Sequence, residues 1–155
     1  MQIHWTQILT AIIALYGAVL STITFYSNKK EKTRQLEVKI YNGFLTYGPE
    51  LSEAMLFIEI VNKGYKKAVV NVPSLVLPDR KTIIFPNPQA NVQFPYSIEE
   101  GTNCQVWCEI PELVRTLNQY GYSGKIKLKA SVSEQGGKKI SSSGTYTLDI
   151  NSWLK

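Results

Sequence analysis

From Trp5 to Tyr26 the chain carries no charged side chain. At about 1.5 Å rise per residue those 22 residues make a helix about 33 Å long, enough to cross a hydrocarbon core of about 30 Å. Trp5 at one end, and Phe25 with Tyr26 at the other, stand where amphipathic rings settle among lipid headgroups. Gln7 and five threonines and serines interrupt the run, but helical hydroxyls can bond back to their own backbone carbonyls and so tolerate lipid. A cleaved signal peptide would want a positive stretch first, and only the α-amine and His4 precede the run; no clean small-x-small site follows Leu20. A buried core helix rarely runs so long without charge. Residues 1–27 are therefore expected to be a transmembrane anchor.

The net charge of +5 is concentrated beside this anchor. Residues 28–35 form a short basic juxtamembrane linker holding Lys29, Lys30, Lys32 and Arg34 against Glu31, which leaves 13 basic and 11 acidic side chains for residues 36–155. That remainder is too balanced to supply the phosphate-neutralising field of a nucleic-acid binder. No lysine or arginine precedes the anchor, so the positive-inside rule predicts a single-pass protein of the cell membrane with its C-terminal domain in the cytoplasm. The membrane-flanking set is then Trp5, Tyr26, Lys29, Lys30, Lys32 and Arg34, and each cation near anionic membrane lipid is worth about 1 kcal/mol. Inside the anchor, Ala11, Ala14, Ala18 and Ser21 place small residues on one face, a candidate helix–helix contact for a homodimer, although such residues are common in membrane helices.

Past Leu36 the pattern changes to short apolar segments separated by turn residues. LEVKIY alternates between faces, and AMLFIEIVN follows a turn-rich passage, YGPELSE. Asn62, Lys63 and Gly64 suggest a hairpin turn into KAVVNVPSLVL, where Pro73 argues for an edge or a bulge. TIIF, CQVWC, KIKLKASVS and TYTLDI complete about seven expected strands, with IEEG turning at Gly101. PELVRTLNQYG reads as one helix, with proline in its first turn, Leu113, Val114 and Leu117 on one face and Gly121 at its C-terminal cap. The expected fold class is mainly β: an N-terminal transmembrane helix, then an immunoglobulin-like β-sandwich over 36–155 with one short inserted helix. In KIKLKASVS the even positions from Ile126 face inward, and Lys125, Lys127 and Lys129 face out, toward an anionic surface or as a solvated or guarded edge.

The domain holds no histidine, since His4 is the only one in the chain. Ser-His-Asp and Cys-His nucleophilic pairs and imidazole zinc sites therefore cannot be built from it. Cys104 and Cys108 on a strand lie about 13 Å apart, beyond the roughly 7 Å a disulfide needs, and read as small buried hydrophobes in a reducing compartment. Glu99 and Glu100 adjoin in a turn, and nothing sets a pair of carboxylates over a cleft; Asp79 and Asp149 stand alone rather than in a calcium loop. Gly136 and Gly137 read as a hairpin turn without a phosphate-loop frame, so no cofactor and no metal is expected. Trp107, Tyr120, Tyr122, Tyr146 and Trp153 are expected to fill the core or seal its ends rather than to form a binding face.

FLTYGPELSEAMLF, the turn VNKG, IEEG before CQVW, and ELVRTLNQYGYSGKIKLKA together resemble a group of uncharacterised small bacterial single-pass membrane proteins with an immunoglobulin-like β domain. The resemblance runs over most of the chain and implies a fold and topology. The expectation is a membrane-anchored, non-enzymatic interaction module with lipid or an unknown protein as partner. Its alternatives are a carboxylate-based membrane-tethered enzyme and a structural envelope or phage component with the domain outside the cell. The candidate binding loops are TYGPELSE, with Tyr47 and Glu50, and the proline-rich connection from Pro86 to Tyr96, with Phe94 and Tyr96 as its aromatics.

Overall fold

A computed structural model describes residues 5–31, 34–85 and 88–154. It divides into two compact units, Met1–Thr33 and Arg34–Lys155.

The first unit holds one helix, α1 (Trp5–Glu31), long and apolar enough to cross a membrane. Its hydroxyls bond to the preceding turn as expected: Thr10, Thr22 and Thr24 donate to the carbonyls of Thr6, Ala18 and Leu20 at 2.8, 2.8 and 2.9 Å. The helix continues through Asn28 to Glu31, so the first half of the expected linker is helical. No residue breaks the helix there, and lysine is a good helix former.

The second unit is mainly β. Its strands are β1 (Leu36–Gly43), β2 (Thr46–Tyr47), β3 (Glu50–Leu51), β4 (Met55–Asn62), β5 (Ala68–Val70), β6 (Ser74–Val76), β7 (Thr82–Ile83), β8 (Gln89–Ala90), β9 (Tyr96–Ile98), β10 (Asn103–Glu109), β11 (Lys125–Ser133), β12 (Lys139–Ser141) and β13 (Tyr146–Asp149). Two helices join them, α2 (Ile110–Gln119) after β10 and α3 (Ile150–Trp153) after β13. One sheet has the order β1-β4-β10-β8, and the other β12-β11-β6-β7, with β13 also paired to β11; β2 pairs with β3 and β5 with β9. All the pairings are antiparallel.

The segments read as strands are strands, and the difference from seven lies in short pieces and one split. KAVVNVPSLVL breaks at 71–73: β5 pairs with β9, β6 pairs with β11, and Pro73, which has no N–H to offer a ladder, sits in the crossing between them. The expected hairpin at Asn62 is absent. Both edges of β4 are already taken, by β1 and β10. Asn62 instead points inward and is fully buried, donating its amide to the carbonyls of Lys66 (2.8 Å) and Ile98 (3.0 Å) and accepting from the Gly64 N–H (3.0 Å). Its side chain thereby steers the chain away from β4 and toward β9.

One apolar cluster draws on the inward faces of both larger sheets, with Val38, Ile58, Ile60 and Val106 from one and Leu75, Leu128, Ala130 and Leu148 from the other. Along β11 the buried positions alternate as expected from Ile126, while Lys125, Lys127 and Lys129 are exposed. The alternation ends at Ser131, which is buried because its hydroxyl meets that of Ser74 on β6 at 3.1 Å.

On the other face of the first sheet, Tyr41, Phe57 and Trp107 are register partners across β1, β4 and β10. Tyr41 stacks on Phe57 with centroids 5.5 Å apart and planes 13° apart, and Phe57 lies 5.9 Å from Trp107. The row is held by polar neighbours: the Gln105 amide donates to the Tyr41 hydroxyl (3.1 Å) and the Trp107 indole N–H to Gln89 Oε1 (2.9 Å). Phe57 is only 5% exposed although it faces away from the main core, since a Cβ at Gly43 would already lie 3.3 Å from its Cε2.

Candidate functional site

An apolar depression of the second unit lies where α2 ends against the β6–β7 turn. Pro111 starts α2 where its missing N–H costs nothing, and Ile110, Leu113, Val114 and Leu117 are its buried stripe. The helix stops as expected at Gly121, whose φ is +84°. The Gly121 N–H donates to Asn118 O (2.9 Å) and the Tyr122 N–H to Leu117 O (3.1 Å), the paired bonds that close a helix through a left-handed residue. This cap turns the chain so that Tyr120 and Tyr122 flank the helix end.

Opposite them, Leu77, Pro78, Asp79 and Arg80 form a turn closed by Arg80 N–H to Leu77 O at 2.9 Å, with proline at the position that favours its fixed φ. Arg80 takes φ +67°, where a side chain is strained. The Tyr122 hydroxyl donates to Asp79 Oδ2 at 2.7 Å, and Lys81 Nζ lies 3.1 Å from the same oxygen. The Tyr122 hydrogen bond, helped by Lys81, holds the Asp79 carboxyl below its usual range; the same bond raises the Tyr122 phenol, and Asp79 raises Lys81. Below this clasp is a cleft of about 270 Å³ lined by Leu77, Lys81, Thr82, Ile83, Leu117, Tyr120 and Tyr122. Its lining joins the apolar Leu77, Ile83 and Leu117 to a cation, a hydroxyl and two phenols. Such a site can seat one apolar or aromatic side chain and hydrogen-bond the backbone beside it.

The residues singled out in the sequence fall elsewhere. Trp5 and Tyr26 are exposed on α1, and Lys29 lies on its last turns, whereas Lys32 and the side chains of Lys30 and Tyr47 lie outside the described residues. Arg34 opens the β unit, and its Nη1 is 2.9 Å from Oε1 of Glu134, a residue only 6% exposed. Ala11, Ala14, Ala18 and Ser21 are exposed on α1, with shallow depressions beside Ala11 and Ala14 and beside Ala18. Glu50 is exposed in the small β2–β3 ladder. Phe94 and Tyr96, expected to be displayed, are half-buried and pack against the core, because Tyr96 opens β9 opposite Val70. Pro86 lies outside the described residues. Of the aromatics expected in the core, Tyr122 and Tyr146 pack against it, but Tyr120 and Trp153 are exposed and Trp107 belongs to the outer row. The cleft went unread because its walls come from segments about 40 residues apart; the only local signals were Pro78-Asp79 and the tyrosines flanking Gly121.

Cys104 and Cys108 are free and buried, both on the inward face of β10. Burial pushes both thiols up to about 12, and Glu112 and Glu109 add to this at Cys108. The folded state therefore holds these protons more tightly than the unfolded chain, where the value is 9.0. Their contribution to stability is complete below pH 9 and is lost as pH rises from 9 toward 12. At about pH 8 the native chain should resist iodoacetamide while the unfolded chain takes up label at both cysteines; equal labelling of the two states would mean that the thiols are open. Among the described residues no three His, Cys, Asp or Glu side chains converge as metal ligands.

The chain matches no protein-family model and no curated protein. Among solved structures it is similar to the X-ray structure of Northeast Structural Genomics Consortium target SoR45, at 14% identity over 74% of this chain and 86% of that one. The TM-score is 0.34, too slight a likeness to bear on fold or function.

Proposed function

We propose that this chain is a membrane-anchored, non-enzymatic interaction module whose β unit works on the cytoplasmic side of the cell membrane and seats an apolar side chain of a protein partner in the cleft beside Tyr122. The single observation behind this reading is the cleft itself, apolar side chains joined to a cation, a hydroxyl and two phenols beside the hydrogen bond from Tyr122 to Asp79. Support for the anchor comes from α1, whose apolar side chains, Ile12, Leu15 and Ile23 among them, are all exposed, a surface that water alone would disfavour. Support for the orientation is the positive charge of Lys29, Lys30, Lys32 and Arg34 after the span. We read the β unit as an immunoglobulin-like sandwich because its two larger antiparallel sheets share one apolar cluster. Pairing of two anchors through Ala11, Ala14, Ala18 and Ser21 belongs to the same reading.

The test is a pull-down from gently solubilised membranes, comparing the full chain, a Thr82→Trp variant that fills the cleft, and α1 alone. A partner recovered with the full chain should fall at least about tenfold in the variant and vanish with α1 alone. Undiminished recovery with the filled cleft rejects the cleft as the site, and recovery by α1 alone rejects the β unit as the module.

A further inference from the structure

We infer that the outer face of β11 is a lipid-contact surface, with Lys125, Lys127 and Lys129 resting on anionic headgroups of the membrane that α1 is proposed to span. The inference rests on the anchor reading and goes beyond the cleft.

The exposure of these lysines and their lack of an ionic partner among the described residues carry the argument. Lysines commonly guard a sheet edge, and beside Lys125 and Lys127 β11 pairs with β13 alone, since β6 meets it only over Lys129–Ser131; Lys129, beside β6 and between the stretches paired with β13 and β12, lies away from such an edge. Edge guarding therefore does not account for Lys129. Nor are the charges spent within the fold. Among the described residues none of the three has a carboxylate within ion-pairing distance, although Asp149 stands opposite Lys125 in register. Opposite Lys127 and Lys129 stand the uncharged Thr147 and Val76.

Three like charges thus repeat about every 7 Å along one exposed face, closer together than the screening length at physiological salt. Such a row lowers the stability of the fold slightly and gives it nothing back. It complements a negatively charged plane, toward which each cation is drawn within a screening length of the surface. Only Lys32 and Thr33 separate the end of α1 from Arg34, too short a link to let the β unit diffuse away from a bilayer.

The experiment places the full chain in nanodiscs of phosphatidylcholine, alone or with phosphatidylserine added, and follows acylation of each lysine by mass spectrometry. Exposed Lys66 serves as the internal reference. In the anionic discs, acylation of Lys125, Lys127 and Lys129 should slow about tenfold relative to Lys66, and high salt should restore it. Equal rates in both discs, with the chain still embedded, overturn this inference and leave the anchor standing. A chain that does not enter the discs overturns both. A variant with Lys125→Gln, Lys127→Gln and Lys129→Gln should unfold at the same or a higher denaturant concentration, whereas a marked loss of stability would show that the lysines serve the fold itself.

Discussion

Replacing Asn62 with alanine should lower the stability of the β unit by about 3–4 kcal/mol, a large part of the roughly 5–15 kcal/mol that holds a domain together. The side chain is 0% exposed and every polar atom on it is used. Alanine would take the donor from the buried carbonyl of Ile98 and the part-buried one of Lys66 and leave the Gly64 N–H only its longer bond to Gln35 O (3.2 Å), at about 1–3 kcal/mol for each group left buried and unpaired. Asn62→Asp gives a sharper test. It keeps the acceptor for Gly64 but turns an oxygen toward two carbonyl oxygens, so it should be at least as damaging at neutral pH and recover partly in acid, where the carboxyl can donate. Guanidinium unfolding of the full chain in mild detergent, followed by near-ultraviolet circular dichroism, measures both. A loss below about 1 kcal/mol for Asn62→Ala would mean that the loop is held by its backbone alone.

Asn62 also marks where reading from sequence stops. Locally, Asn-Lys-Gly is turn chemistry, and a turn does occur there, but which strand the chain then meets depends on the edges of β4 being occupied by residues far away. Features that one segment decides for itself were legible: the apolar span of α1, the alternation of β11, the buried stripe of α2 and its closure at Gly121. Features that two segments decide together were not. Arg34 reads as a juxtamembrane cation, and nothing near it in sequence announces its ion pair with Glu134, 100 residues later. Phe94 and Tyr96 read as exposed because prolines surround them, yet pairing of β9 with β5 turns them against the core. The cleft is of this second kind, since Asp79 and Tyr122 meet only when the β6–β7 turn and the end of α2 are both in place.

Phe57→Ala should cost about 3–4 kcal/mol, an amount ordinarily expected only of a core position. Its pattern in sequence is that of a strand residue facing away from the main cluster, but Tyr41 and Trp107 enclose its ring and the bare backbone of Gly43 lets it lie close. Truncation removes the middle of a three-ring row, so both flanking rings lose their contact, and aromatic pairs of this kind are worth about 0.5–1.5 kcal/mol beyond the area they bury. Phe57→Leu should recover roughly half of the loss, because it refills volume without restoring the ring contacts. The same unfolding measurement decides the matter: if Phe57→Ala and Phe57→Leu both fall within about 0.5 kcal/mol of the parent, the row contributes nothing beyond a surface position.

The pairing of β11 with β6, β12 and β13 also sets a timetable for synthesis. Ser74 and the Ser131 it contacts are 57 residues apart, so at about 5–20 residues per second β6 waits roughly 3–11 s for its neighbour to leave the ribosome. Through that interval the β6–β7 pair has an open edge and its apolar face is uncovered. A ribosome that stalls before Lys125 leaves an unfinished, edge-exposed domain, and the last fifth of the polypeptide closes it.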